Sequence, residues 1–150
     1  MSEGLSAFRA AYGVIKQFER YSPVQYLDAA GYPTIGFGYL IKPGEKIPEP
    51  LLGAAAERLL QQDIAPKAAA VSARVSVPLF QEQFDAVVSW TYNLGEGALK
   101  SSTMLKKINT GQYDEVPGQM KRWNRARGKV LKGLQRRREA EAALYIMRWY

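Results

Sequence analysis

Two carboxylic acids near the N-terminus, Glu19 and Asp28, followed by Thr34, are residues whose types and surroundings suit acid–base chemistry. Hydrolysis of a glycosidic bond uses such a pair: one carboxyl protonates the leaving oxygen, and the other activates water or attacks the sugar. Leu5, Phe8, Tyr12, Ile15 and Phe18 recur at spacings of three and four, which predicts a helix with Glu19 at its end. A helix C-terminus disfavours negative charge, and Phe18, Tyr21 and Val24 are near enough in sequence to exclude water. Both conditions favour the protonated acid. Asp28 opens the polar turn Asp28-Ala29-Ala30-Gly31, where a carboxylate stays ionised. Thr34 starts the next strand, with a hydroxyl suited to holding a water near Asp28. The pattern Glu-x8-Asp-x5-Thr carries little information alone, because most carboxylates are simply solvated surface charges.

Composition removes competing chemistries. The chain has no His and no Cys, which excludes zinc sites, Ser-His and Cys-His nucleophile systems, and disulfides. No Asp-rich calcium-binding loop occurs, so neither a metal nor another cofactor is expected. The 150 residues fit one domain spanning 1–150, with 47% hydrophobic residues and 23% charged ones, a globular composition.

The elements that must position these groups are mostly helical. Residues Tyr26 to Ile41, rich in β-branched and aromatic types, read as a small β-meander. Lys42 to Pro50, with three prolines and a glycine, reads as a loop. A long helix is expected from about Glu49 to Val71, with Leu52, Ala56, Leu59 and Ala68 buried and Pro66 kinking or dividing it. Phe80, Phe84, Val87, Val88 and Thr91 predict a second long helix ended by Gly95. Ser101 or Ser102 is placed to cap a short helix through Ile108, stopped by Gly111. Further helices are expected near Asp114–Trp123 and Leu134–Trp149, with Trp90 and Trp149 as packing residues. The fold class is therefore α+β, mostly helical, with one small sheet near the N-terminus.

Three ordered blocks add specificity that no single spacing has. FERYSPVQYLDAAGYPTIGFGYLI, QFDAVVSWTYNLGEGALKSSTMLKKINTG and RWNRARGKVLKGLQRRREAEAAL together resemble the phage-type lysozymes, glycoside hydrolase family 24, over roughly residues 10–148. The resemblance implies a two-lobed lysozyme-like fold, a small sheet-bearing N-terminal lobe and a helical C-terminal lobe. It implies a peptidoglycan hydrolase, or endolysin, that cleaves the β-1,4 bond between N-acetylmuramic acid and N-acetylglucosamine with inversion. Glu19 falls on the general acid, Asp28 on the group that orients or activates water, and Thr34 on the residue that helps hold that water. Leu40, Tyr92, Asn93 and Thr103 fall where the family lines its saccharide cleft. One arginine of the 136–138 run, Arg137 foremost, is implied to pair with Glu19 or buttress its helix. Two positions depart from the pattern: Arg20 stands where the family has Gly after the acid, and Tyr39 where it often has His. Arg20 puts a cation beside the acid.

The net charge of +7 is unevenly spread. Residues 1–99 carry eight basic and ten acidic groups, residues 100–150 thirteen and four. Lys121 to Arg138 has nine basic residues among eighteen and no acid. Such a segment is a solvated face, or it draws the protein to the anionic cell envelope. Trp123 is its one aromatic residue, and neither a recognition helix nor a zinc finger appears, so specific nucleic-acid binding is not expected. Two alternatives stay open: a lytic transglycosylase, which needs one Glu, and a non-catalytic cationic module for envelope or nucleic acid. The N-terminus lacks an apolar signal core and no membrane-spanning run occurs, which predicts a start in the host cytoplasm; the resemblance implies that the protein reaches the periplasm or cell wall at lysis, and a monomer is the default expectation.

Overall fold

The computed structural model of the chain describes residues 7 and 9–147. Leu5, Phe8 and Trp149 lie outside them. Helix α1 (Arg9–Phe18) buries Ala11 and Ile15 and delivers Glu19 one residue past its end. An antiparallel sheet follows, of strands β1 (Ser22–Leu27), β2 (Pro33–Gly36) and β3 (Tyr39–Leu40), in the order β1-β2-β3. The meander thus begins four residues before Tyr26, because Pro23 is compatible with an edge strand that needs no donor at that point.

Helix α2 (Gly53–Arg74) connects two cores. Ala56 joins Ile35, Tyr39 and Leu51 in a small core beneath the sheet. Leu60, Ile64, Ala68 and Val71 join the large core of the helical body. The 22 residues span about 33 Å, enough to run from one lobe into the other. Its start is later than the Glu49 expected from sequence. Leu51 N–H donates to the Pro23 carbonyl at 2.8 Å, and Leu52 is extended, so residues 49–52 serve the sheet rather than the helix. Leu52, expected in the core, is therefore 57% exposed, and Leu51 is buried in its place. Pro66 does not divide the helix. It faces solvent, as does Gln62, so water can satisfy the carbonyl that proline leaves without a donor.

Helix α3 (Gln81–Leu94) forms the centre of the body. Phe84, Val87, Val88 and Trp90 are completely buried, and Gly95 ends it with a positive φ. Helix α4 (Glu96–Ser101), not expected from sequence, precedes α5 (Thr103–Asn109). Ser102 caps α5 by accepting from Leu105 N–H at 3.0 Å. The expected Asp114–Trp123 helix is a 3₁₀ turn at Tyr113–Glu115 followed by α6 (Val116–Lys121). A short hairpin, β4 (Arg125–Ala126) with β5 (Lys129–Val130), then leads to α7 (Lys132–Ile146), which packs on α3, α6 and α1. The hairpin was hidden because its strands are two residues each and exposed, leaving no apolar alternation to read.

Candidate active site

Glu19 closes the last turn of α1, its N–H donating to the Ile15 carbonyl at 3.0 Å. Its carboxylate is one-quarter exposed and meets Arg137 from α7, with Nη1 3.3 Å from Oε1. Arg137 is nearly buried and also lies over the Phe18 ring. Beside it runs a buried ionic cluster. Glu141, completely buried, accepts from Arg138 Nε at 2.7 Å, Arg138 Nη2 at 3.1 Å and Ser89 Oγ at 2.6 Å. Arg137 Nε reaches the same carboxylate at 3.5 Å. Burial pushes the Glu141 carboxyl up, and the Arg138 guanidinium opposes that. Charges this deep stand only when paired and hydrogen-bonded. The cluster ties α7 to α3 and aims Arg137 at the acid.

From the other side the turn between β2 and β3 approaches Glu19. A Cβ on Gly38 would sit 3.8 Å from Glu19 Oε2, and its φ of +92° is one that L side chains rarely adopt. Arg20, adjacent to the acid in sequence, takes a different direction. Its guanidinium stacks on the Tyr26 ring, 4.3 Å from the centroid, and makes no ion pair among the described residues.

Asp28 sits in the turn between β1 and β2. Its Oδ1 accepts Ala30 N–H at 2.9 Å and Tyr32 N–H at 2.8 Å, and its own N–H donates to the Tyr32 carbonyl. Oδ2 accepts no hydrogen bond among the described residues. Tyr26 pairs with Thr34, and Thr34 with Leu40, so these three side chains share one face of the sheet, and Asp28 follows in the turn after β1. Thr34 is buried, and its hydroxyl donates to the Tyr32 carbonyl at 2.9 Å. That leaves the Thr34 oxygen as an acceptor.

Leu40 and Tyr92 line one open depression of about 400 Å³, together with Gly38, Asp63 and the lysines Lys42 and Lys67. Burial pushes the Tyr92 phenol up, and the nearby Glu19 and Asp63 carboxylates add to it, so this hydroxyl stays a neutral donor. Asn93 is the next residue on α3; it is half-buried, and its Oδ1 is a buried atom with no partner among the described residues. Thr103 is not brought to this depression. It stands exposed at the start of α5, beside a separate one formed with Ser101, Gln119, Arg122 and Trp123. Tyr39, where the resemblance expects His, is buried and donates to Glu45 at 2.8 Å.

Sequence reading missed Glu141 and Asp63. Glu141 carried a signal: Leu134, Arg138, Glu141 and Tyr145 share one helical face, so charge interrupts an inward stripe. Asp63 carried none, since it lies off the Leu60-Ile64-Ala68-Val71 stripe of α2.

Known proteins resemble this chain in sequence and in fold. The Phage lysozyme family model matches residues 16–141. An endolysin of Bacillus phage B103 is 37% identical over 143 residues, 92% of this chain. The chain spans about half, 53%, of that relative's length. An endolysin of Acyrthosiphon pisum secondary endosymbiont phage 1 is 36% identical, over 88% of this chain and 92% of its own length. The structure of an endolysin from the Escherichia coli O157:H7 phage FAHEc1 superposes with a TM-score of 0.86 at 35% identity, covering 97% of this chain and 96% of that one. Because that family model covers residues 16–141, most of the sequence, the chain belongs to the phage lysozyme family.

Proposed function

We propose that this chain is a muramidase of the endolysin type, cleaving the β-1,4 bond between N-acetylmuramic acid and N-acetylglucosamine in bacterial peptidoglycan. The observation that carries the reading is an anchored acid, Glu19 on Arg137, beside a depression lined by Gly38, Leu40 and Tyr92, with a second carboxylate, Asp28, held by its own turn at the other end of β1. Glu19 donates its proton to the glycosidic oxygen as the bond breaks. A water donates one hydrogen bond to Asp28 Oδ2 and one to Thr34 Oγ1, which aims its lone pair at the anomeric carbon. Asp28 takes the proton as the new C–O bond forms, so attack from the face opposite the leaving group inverts the anomeric centre. Arg137 positions Glu19, and Leu40, Tyr92 and Asn93 hold saccharide beside it, while Thr103, at its separate depression, takes no part in that grip.

The products test the reaction. Digestion of purified sacculi, followed by mass spectrometry, is expected to give reducing muramic acid ends. Anhydro ends alone would assign a lytic transglycosylase, and no cleavage alongside tight binding to envelope or duplex DNA would assign a cationic module.

The monomer acts on the envelope with its basic segment leading. Residues 121–136 are exposed except Asn124 and Leu134, and none of their cations joins an ion pair among the described residues. Exposed charge attraction is screened by salt, so lysis of whole envelopes falls as ionic strength rises, while cleavage of soluble glycan changes less. Equal salt profiles for both would leave the segment as a solvated face. No described helix is long and apolar enough to cross a membrane.

A further inference from the structure

The depression beside Glu19 contains a charged group that glycan cleavage as derived above does not use. Asp63 projects from α2 into it, half-buried, and among the described residues it accepts no hydrogen bond and closes no ion pair. Lys67, one helical turn on, and Lys42, after β3, line the same depression. Lys42 is held there by donating to the Tyr39 hydroxyl at 3.3 Å, which in turn donates to Glu45. Three charges of both signs therefore share a recess with Leu40 and Tyr92 without closing an ion pair among the described residues.

We propose that Asp63, Lys42 and Lys67 form a subsite for an ammonium-and-carboxylate terminus on the peptide attached to muramic acid, such as the free end of a diamino acid. The proposal rests on the muramidase reading and extends it from the sugar to the peptide. The ammonium meets Asp63, and the carboxylate bridges Lys42 and Lys67. A neutral sugar offers hydroxyl and amide groups, which satisfy Asp63 but give the two lysines no anion. The electrostatics agree. Burial raises the Asp63 carboxyl to about 6, with Lys42 and Lys67 opposing and Glu45 adding to the rise. Near neutrality it is an ionised group at a desolvation cost, and an incoming cation offsets that cost.

The test uses uncrosslinked glycan chains in four forms: peptide-bearing, with the diamino acid's free carboxylate amidated, with its free amine acetylated, and with the peptide removed. Wild-type kcat/KM is expected to fall about tenfold on each altered substrate, a change of about 1.4 kcal/mol, carried by KM. Asp63→Asn is expected to stop discriminating against the acetylated amine while still discriminating against the amide. Lys67→Met shows the reverse. Such crossed insensitivity is not produced by general loosening of α2. Equal cleavage of all four substrates by the wild type, or parallel losses in both variants, would overturn the subsite and leave the muramidase reading standing. No cleavage of any of the four forms by the folded wild type would overturn both.

Discussion

The helix end that carries Glu19 and the hairpin turn that carries Asp28 are held over very different distances in sequence. Glu19 is met by Arg137, 118 residues away, and Arg137 leans on Glu141, which Ser89 and Arg138 hold from α3 and α7. Asp28 is held by backbone N–H groups two and four residues on. A carboxylate that must donate a proton needs a partly dry wall, which only distant elements supply. One that must accept from water needs orientation and an open oxygen, which a turn supplies by itself. The two anchors should therefore fail differently.

The largest expected effect lies on the local side. Asp28→Asn keeps an oxygen for the Ala30 and Tyr32 N–H groups, so stability should change by less than about 1 kcal/mol, while kcat falls about 10²- to 10⁴-fold with the loss of the base. Thermal unfolding beside a glycan assay checks both, and a large drop in Tm would show that the carboxylate is structural.

Arg137→Met breaks the distant side at its tip. The acid is left without its partner, and kcat should drop about a hundredfold through misplacement, with KM little changed. An equal rise in KM would instead make Arg137 a substrate ligand. One step deeper, Glu141→Gln leaves Arg138 buried without its counter-charge. Urea unfolding should report about 3–5 kcal/mol of lost stability, far beyond any Asp28 variant. A loss below 1 kcal/mol would mean that the cluster does not brace the acid's helix.

The smallest effect separates the cleft's spare carboxylate from both anchors. Asp63 has its carboxyl raised from 3.8 to about 6 by burial. Below about pH 3 it is neutral folded and unfolded, and its stabilising contribution is complete; that contribution is lost as pH rises to and beyond about 6, where the folded state takes up the charge. Asp63→Asn should thus match the parent below about pH 3 and exceed it by about 1 kcal/mol at about pH 8, a figure reduced for solvent screening. Parallel stability curves would place Asp63 in water.

The same contrast explains what the sequence made legible. The turn at Asp28 and the strand near Thr34 lie in one short stretch, and local rules reach those elements. Gly95 and Ser102 likewise end and cap helices where backbone chemistry demands it. The start of α2 was misplaced because a hydrogen bond from Leu51 to Pro23 outweighs local helix propensity. Glu139 and Glu141 look alike in sequence, yet one is exposed and the other buried, since only the packing of α7 on α3 decides which faces inward. The reach of Arg137 to Glu19 is a tertiary contact, and here it entered through family resemblance rather than through spacing.

The most direct test of the account is the lysis rate of permeabilised cells by Glu19→Gln, measured on protein shown to be folded by its thermal transition. Removing the proton donor while keeping shape and the contact to Arg137 should lower the rate at least a hundredfold with an unchanged fold. Wild-type lysis by the folded variant would contradict the assignment of Glu19 as the acid.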